Sequence, residues 1–278
     1  MKRVLTIQDI SCIGKCSLTA AIPILSAAGI EPAIVPTAVL STHTMFQGFT
    51  FRDLTDDMEP ILEHWKKEGF TFDAIYTGYL GSIRQIDIVK HFIDTFAGPA
   101  TTVIVDPAMA DNGKLYTGFD ESFARKMGEL CGKADIVLPN ISEACLMLGE
   151  PYPGEDADEK TVSGLLEKMK SLGAGISVIT GTSFRDDTFG FTGLISETGE
   201  EFRFGTARVP YRSHGTGDVF AAAFTGALLN DKTTREALEI AACYTAACIR
   251  NTYETPGSVN YAVNLENEIG YYRELLGL

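Results

Sequence analysis

The stretch Ser213-His214-Gly215-Thr216-Gly217-Asp218 holds the residue types that group transfer to an alcohol requires. Two glycines flank Thr216, so the backbone there can approach a ligand closely and aim successive N–H groups at it. The following run, Val219-Phe220-Ala221-Ala222-Ala223, predicts a helix whose N-terminus carries a partial positive charge suited to phosphate or a developing oxyanion. Asp218 falls in that first turn. A carboxylate there can take the proton of an attacking hydroxyl while the amides stabilise the transferring group. A plainer reading also fits, in which the glycines make a tight turn and Asp218 complements the helix dipole.

Further acids stand at Asp106, heading Asp106-Pro107-Ala108-Met109-Ala110-Asp111, and at Glu143, after Pro139-Asn140-Ile141-Ser142. The chain carries 37 acidic and 23 basic residues for a net charge of -14. Phosphoryl transfer on such a protein needs a cation between carboxylates and phosphate oxygens, and Mg²⁺ takes one or two carboxylates plus waters. Asp106 and Glu143 suit that role. Their alternatives are a turn aspartate before proline and a helix-start glutamate beside a capping Ser142 or Asn140.

The charge argues against a nucleic-acid binder and for ordinary cytosolic solubility. No G-x-x-x-x-G-K-[ST] is present, and the first apolar run is followed by Gln8-Asp9-Ile10-Ser11-Cys12-Ile13-Gly14 rather than G-x-G-x-x-G. A P-loop enzyme and a dinucleotide oxidoreductase both lose support. The six cysteines (Cys12, Cys16, Cys131, Cys145, Cys243, Cys248) show neither C-x-x-C nor a zinc pattern, and read as structural thiols of a reducing compartment. Apolar runs such as Ala20 to Ala28, broken by Pro23, fall short of the ~20 residues of a membrane span. Met1-Lys2-Arg3 leads straight into Val4-Leu5-Thr6-Ile7, so no leader is expected and the expected location is cytoplasmic.

These groups must be held by regular elements. Strands are expected at Arg3–Ile7, Ala33–Leu40, Ala74–Thr77, Thr102–Val105, Ile136–Leu138 and Ser177–Thr180, with amphipathic helices between them. Ile83, Ile86, Val89, Ile93 and Phe96, for example, share one helix face. Such alternation predicts a parallel sheet covered on both faces, a three-layer α/β/α sandwich. Gly190–Ser196 and Glu201–Arg208 around Thr198-Gly199 predict an added antiparallel hairpin, and helices Asp218–Leu229, Thr234–Asn251 and Leu265–Leu276 complete the chain. No linker divides the 278 residues, so one domain is expected. Ligands of parallel sheets sit beyond the carboxyl ends of the strands. That rim is expected to carry Gln8-Asp9, Ser41-Thr42-His43-Thr44, Gly78-Tyr79, Asp106-Pro107, Pro139-Asn140 and Gly181-Thr182.

With G-T-G-D opening a late helix, D-P-x-M after a mid-chain strand and P-N-x-x-E after the next, the chain resembles the ribokinase superfamily. Thr6-Ile7-Gln8, Ser41-Thr42-His43-Thr44 and Thr77-Gly78-Tyr79-Leu80-Gly81-Ser82 resemble its pyridoxal kinase branch, from Arg3 to about Arg250. The resemblance implies a ribokinase-like fold and transfer of the ATP γ-phosphoryl group to the 5′-hydroxyl of a B6 vitamer. It also implies Mg²⁺, a possible monovalent cation and a homodimer. Asp218 would be the base and Gly215, Thr216 and Gly217 the anion hole. Asp106 and Glu143 would organise Mg²⁺, mostly through water. Asp111, Tyr116, Asn140 and Thr180 would lie near the ATP phosphates, and Thr44, Tyr79 and Leu40 around the pyridine ring. Asp9 replaces a more usual serine, where it could meet the ring's 3-hydroxyl, its N–H or a cationic amine. Ala108 and Ala110 replace the usual Val and Gly, and His214 resembles hydroxymethylpyrimidine kinases. A hydroxymethylpyrimidine or sugar kinase, and a non-catalytic ligand-binding α/β protein, are the alternatives.

Overall fold

The computed structural model describes residues 1–154, 157–183 and 187–278. Its strands are β1 (Arg3–Ser11), β2 (Glu31–Leu40), β3 (Phe51–Asp53), β4 (Ala74–Thr77), β5 (Thr102–Val105), β6 (Ala110–Asp111), β7 (Lys114–Leu115), β8 (Ile136–Val137), β9 (Ile176–Thr182), β10 (Thr188–Ile195) and β11 (Glu201–Ala207). The helices are α1 (Leu18–Ala27), α2 (Thr55–Glu68), α3 (Ile83–Phe96), α4 (Glu121–Cys131), α5 (Ile141–Leu148), α6 (Glu159–Met169), α7 (Thr216–Leu228), α8 (Thr234–Glu254) and α9 (Ile269–Leu276).

Nine strands form one sheet in the order β11-β10-β9-β8-β5-β4-β1-β2-β3. The six from β9 to β2 run parallel, and β10 and β11 add the antiparallel hairpin at one edge. At the other edge the short β3 pairs antiparallel with β2, and β6 and β7 make a separate ribbon. Neither was expected, because strands of two or three residues carry no periodicity.

Neighbouring residues of a strand point to opposite faces. Leu5, Ile75, Val105 and Val137 face α2 to α6 in one apolar core, while Val4, Ala74, Ile104 and Ile136 face α1, α7, α8 and α9 in the other. This is the three-layer sandwich. Leaving β1, the chain builds β2 on one side and then crosses to β4 on the other, so the sheet reverses its winding beside β1. A crevice forms at the carboxyl edge at such a point.

Four expectations need correction. β1 does not stop at Ile7: across a bulge, Ile10 and Ser11 pair with Val39 and Leu40, so Gln8 and Asp9 lie inside the strand. Gly181 and Thr182 likewise belong to β9 rather than to a turn after it. The last helix begins at Ile269, after a short 3₁₀ turn at Glu266–Glu268. Among the cysteines, Cys12 is exposed on the loop after β1 and is not a packing residue. No helix of the described residues is long and apolar enough to cross a membrane.

Candidate active site

Gly215 is the N-cap of α7, with φ 80°, a backbone conformation open to glycine and unfavourable to other residues. It needs glycine for a second reason. A Cβ there would lie 2.8 Å from the Lys15 carbonyl oxygen and 3.1 Å from the Cys16 sulfur. Thr216 and Gly217 begin the helix and Asp218 stands in its first turn, as expected. The start of α7 opens on a cavity of ≈ 700 Å³ that also receives Asp106, Glu143 and Tyr116.

Asp106 follows β5, at the edge, and is 7% exposed; Glu143 is 3% exposed. Glu143 sits at the third position of α5 in a capping box with Asn140: Asn140 Oδ1 accepts from the Glu143 N–H at 2.9 Å, and Glu143 Oε2 accepts from the Asn140 N–H at 2.8 Å. Glu143 Oε1 accepts from the Met109 N–H at 3.1 Å, and Asn140 Nδ2 donates to the Ala110 carbonyl at 2.9 Å. The helix-start reading of Glu143 is therefore realised, and it fixes the Pro107–Asp111 segment against α5. Ala108 and Ala110 are accommodated there, with Ala110 buried in β6.

Three carboxyl groups crowd this space. Burial, with Asp9 nearby, pushes Asp218 up to about 7. Burial raises Glu143 to about 8 despite its main-chain donors, with Asp111 adding to the rise. Burial and the charges of Glu143 and Asp218 raise Asp106 well above the carboxylate range. No basic side chain pairs with Asp106 or Glu143 among the described residues. The described residues contain no cluster of three or more His, Cys, Asp or Glu able to hold a metal by themselves. Two carboxylates short of cations, beside room for a phosphate, fit a Mg²⁺ that keeps most of its shell as water and phosphate oxygen.

Asp111 and Thr180 also line the cavity; Asp111 is exposed, and Thr180 is half-buried with its N–H donating to the Pro139 carbonyl at 2.9 Å. Tyr116 is held by its N–H donating to the Met109 carbonyl at 2.8 Å, and burial pushes its phenol up. The ring-side candidates do not line this cavity. Leu40 is buried at the end of β2, Thr44 lies half-buried in the loop beyond it, and Tyr79 follows β4 at the same carboxyl edge. Asp9, 3% exposed in β1, connects the two groups: its charge bears on Asp218 on one side and, on the other, adds to the burial that pushes the Tyr79 phenol up to about 12.

Two features escaped the sequence reading. The loop Cys12–Ser17 packs beneath Gly215, with Lys15 and Ser17 both at positive φ. His43 stacks on His214 with ring centroids 5.5 Å apart, and its Nε2 donates to the Tyr261 carbonyl at 2.8 Å. The signals present were Gly14 and a serine before a helix, both ordinary punctuation in a sequence.

The phosphomethylpyrimidine kinase family model matches residues 18–264. A Bacteroides thetaiotaomicron protein described as a candidate phosphomethylpyrimidine kinase, crystallised with pyridoxal, is 36% identical, with TM-score 0.91 and coverage of 99% of this chain and 95% of that one. Pyridoxal kinase from Lactobacillus plantarum is 29% identical, with TM-score 0.89 and coverage of 99% and 98%. A pyridoxal kinase of Rubrobacter xylanophilus is 28% identical over 260 residues, 90% of this chain and 87% of its own length. The family match runs from the first helix through every residue named on the cavity wall, and the chain belongs to the phosphomethylpyrimidine kinase family of the ribokinase-like superfamily.

Proposed function

We propose that this protein is a pyridoxal kinase, transferring the γ-phosphoryl group of ATP to the 5′-hydroxymethyl group of pyridoxal, pyridoxine or pyridoxamine. The observation that carries the reading is Asp218 at the glycine-lined start of α7, sharing one cavity with Asp106 and Glu143. Likeness to pyridoxal kinases, and to a relative crystallised with pyridoxal, supports the substrate.

In this mechanism Asp218 Oδ accepts the proton of the 5′-hydroxyl as it attacks. The N–H groups from Gly215 to Gly217 meet the oxygens of the transferring phosphoryl group, where negative charge gathers. Thr180, Asn140, Asp111 and Tyr116 border the ATP phosphates. Asp9, Thr44 and Tyr79 orient the pyridine ring against the wall made by Leu40. Asp106, and Glu143 through water, would hold Mg²⁺, which when bound would supply positive charge between these two carboxylates and the phosphate oxygens. A monovalent cation, a homodimer and a cytoplasmic location belong to the same reading; the free state of all six cysteines supports the compartment.

Incubating the pure protein with Mg-ATP and each vitamer, and measuring the 5′-phosphate formed, tests the reading. Hydroxymethylpyrimidine in parallel tests the second reading, which the family's own description favours. Turnover of the pyrimidine alone would replace the first reading by the second.

A further inference from the structure

Gln85 is the third residue of α3, and its N–H donates to the hydroxyl of the N-cap Ser82 at 3.2 Å. A glutamine in that place ordinarily returns its side chain to the N-cap amide and closes a capping box. No such box forms here. Gln85 Oε1 accepts instead from the Gly81 N–H at 2.7 Å, outside the helix. Its Nε2 donates to the Thr37 carbonyl in β2 and to the Thr55 hydroxyl at the start of α2, both at 2.9 Å. The side chain is fully buried, and both of its polar atoms have partners, the terms on which a buried amide is tolerated. Those partners also settle which end is oxygen, because Oε1 meets an N–H and Nε2 a carbonyl.

These bonds surround Tyr79. Thr37 Oγ1 donates to the Tyr79 carbonyl at 3.1 Å, and the Gly78 N–H donates to the Ile7 carbonyl in β1 at 3.1 Å. With Gly81 held by Gln85, the turn after β4 is fixed before, at and after Tyr79. Gly81 lies past the end of the strand, where side chains from α3 and β2 stand in for a ladder. Thr55 is itself held, its N–H donating to Asp53 Oδ1 at 2.7 Å and its hydroxyl to the same oxygen, which leaves the hydroxyl's lone pair for Gln85. One buried side chain thus joins α3, α2, β2 and the turn that bears Tyr79. A fully satisfied network of this kind specifies one arrangement of its parts. We propose that Gln85, acting with Thr37, is a positioning residue that fixes residues 78–82 so that the Tyr79 ring meets the pyridine of the vitamer. The proposal rests on the kinase reading above. Neither residue lines the cavity that holds Asp218, so the phosphoryl side should be untouched.

Gln85→Met keeps the length of the side chain and removes its bonds to Gly81, Thr37 and Thr55. The KM for pyridoxal should rise about tenfold, the equivalent of one ordinary hydrogen bond, with kcat changed less than about threefold and KM for ATP unchanged. In a Tyr79→Ala background the same substitution should raise the pyridoxal KM less than about twofold, because the ring it positions is gone. A glutamine serving only the fold would act alike in both backgrounds. A second measurement needs no turnover: amide hydrogen exchange at Gly81 should quicken in Gln85→Met more than at the α3 amides. Thr37→Val removes the bond to the Tyr79 carbonyl and keeps the Thr37 carbonyl, so it should shift the pyridoxal KM in the same direction, and it carries the test if Gln85→Met does not fold. An unchanged pyridoxal KM in active Gln85→Met protein overturns the proposal, as do an equal rise in the two backgrounds and unquickened exchange at Gly81. Where Gln85→Met does not fold, an unchanged KM in Thr37→Val overturns it. Wild-type protein that phosphorylates no vitamer overturns the kinase reading and the proposal with it, whereas wild-type turnover with any of the contrary results above overturns the role of Gln85 alone.

Discussion

Gly215 and Lys15 approach so closely that a Cβ on Gly215 would stand 2.8 Å from the Lys15 carbonyl oxygen. The start of α7 is thus seated on the loop after β1, which Lys15 fixes further through a 2.6 Å ion pair with Glu266. Gly215→Ala would force both a positive φ on alanine and a clash with main chain. The expected loss of stability is ~1–3 kcal/mol, with turnover reduced about 10²–10³-fold as the amides shift off the phosphoryl position. Steady-state kinetics and thermal melts on this variant check both; full activity would show that the amides of this turn do not face the reaction.

Asp218→Asn should lower turnover by about 10²–10⁴, the usual worth of a general base. Apparent affinity for the vitamer should move less, since the amide still hydrogen-bonds the hydroxyl. Because Asp218 titrates near 7, wild-type kcat/KM should fall as pH drops below about 7, where the base is protonated. A helix-dipole role alone predicts the reverse pattern, kept turnover with ~1 kcal/mol less stability.

Glu143→Gln acts on three main-chain donors at once, those of Met109, Ala110 and Asn140. An NH₂ turned toward any of them leaves a buried donor unpaired, at a cost of ~1–3 kcal/mol, partly offset by removing a buried charge. The variant should melt lower and also need more Mg²⁺ for half-maximal rate. If the Mg²⁺ titration matches wild type while the melting temperature falls, Glu143 serves the α5 cap only.

Asp9, Asp106, Glu143 and Asp218 all have carboxyl groups shifted upward by burial. Between the unfolded carboxylate range near 4 and the folded values of about 7 for Asp218 and about 8 for Glu143, the native chain binds more protons than the unfolded one. Stability of the ligand-free protein should therefore fall as pH rises from about 4 to about 8. A cation or Mg-ATP should return more stability at about pH 8.5 than at about pH 6, because it interacts with the charged forms. Melting curves across pH, with and without Mg²⁺, check this; ligand-free stability that climbs between pH 5 and 8 would contradict it.

Whatever is local in the chain was legible in its residues. G-T-G-D is four consecutive positions, so its turn, its amides and its carboxylate travel together wherever the helix packs. Continuous β-branched runs between amphipathic helices state a covered parallel sheet, because burial on both faces leaves no polar alternation. Asn140 and Glu143 were readable as a helix start for the same reason of nearness. Tertiary structure decided the rest. Asp9 lies inside β1 because Ser11 pairs with Leu40, a partnership set by register across a bulge and not by the polarity of Gln8 and Asp9. β3 exists only because β2 offers an edge. Asp106, Glu143 and Asp218 share one cavity because β5, β8 and α7 converge at the carboxyl edge, and their raised carboxyl groups follow from that crowding.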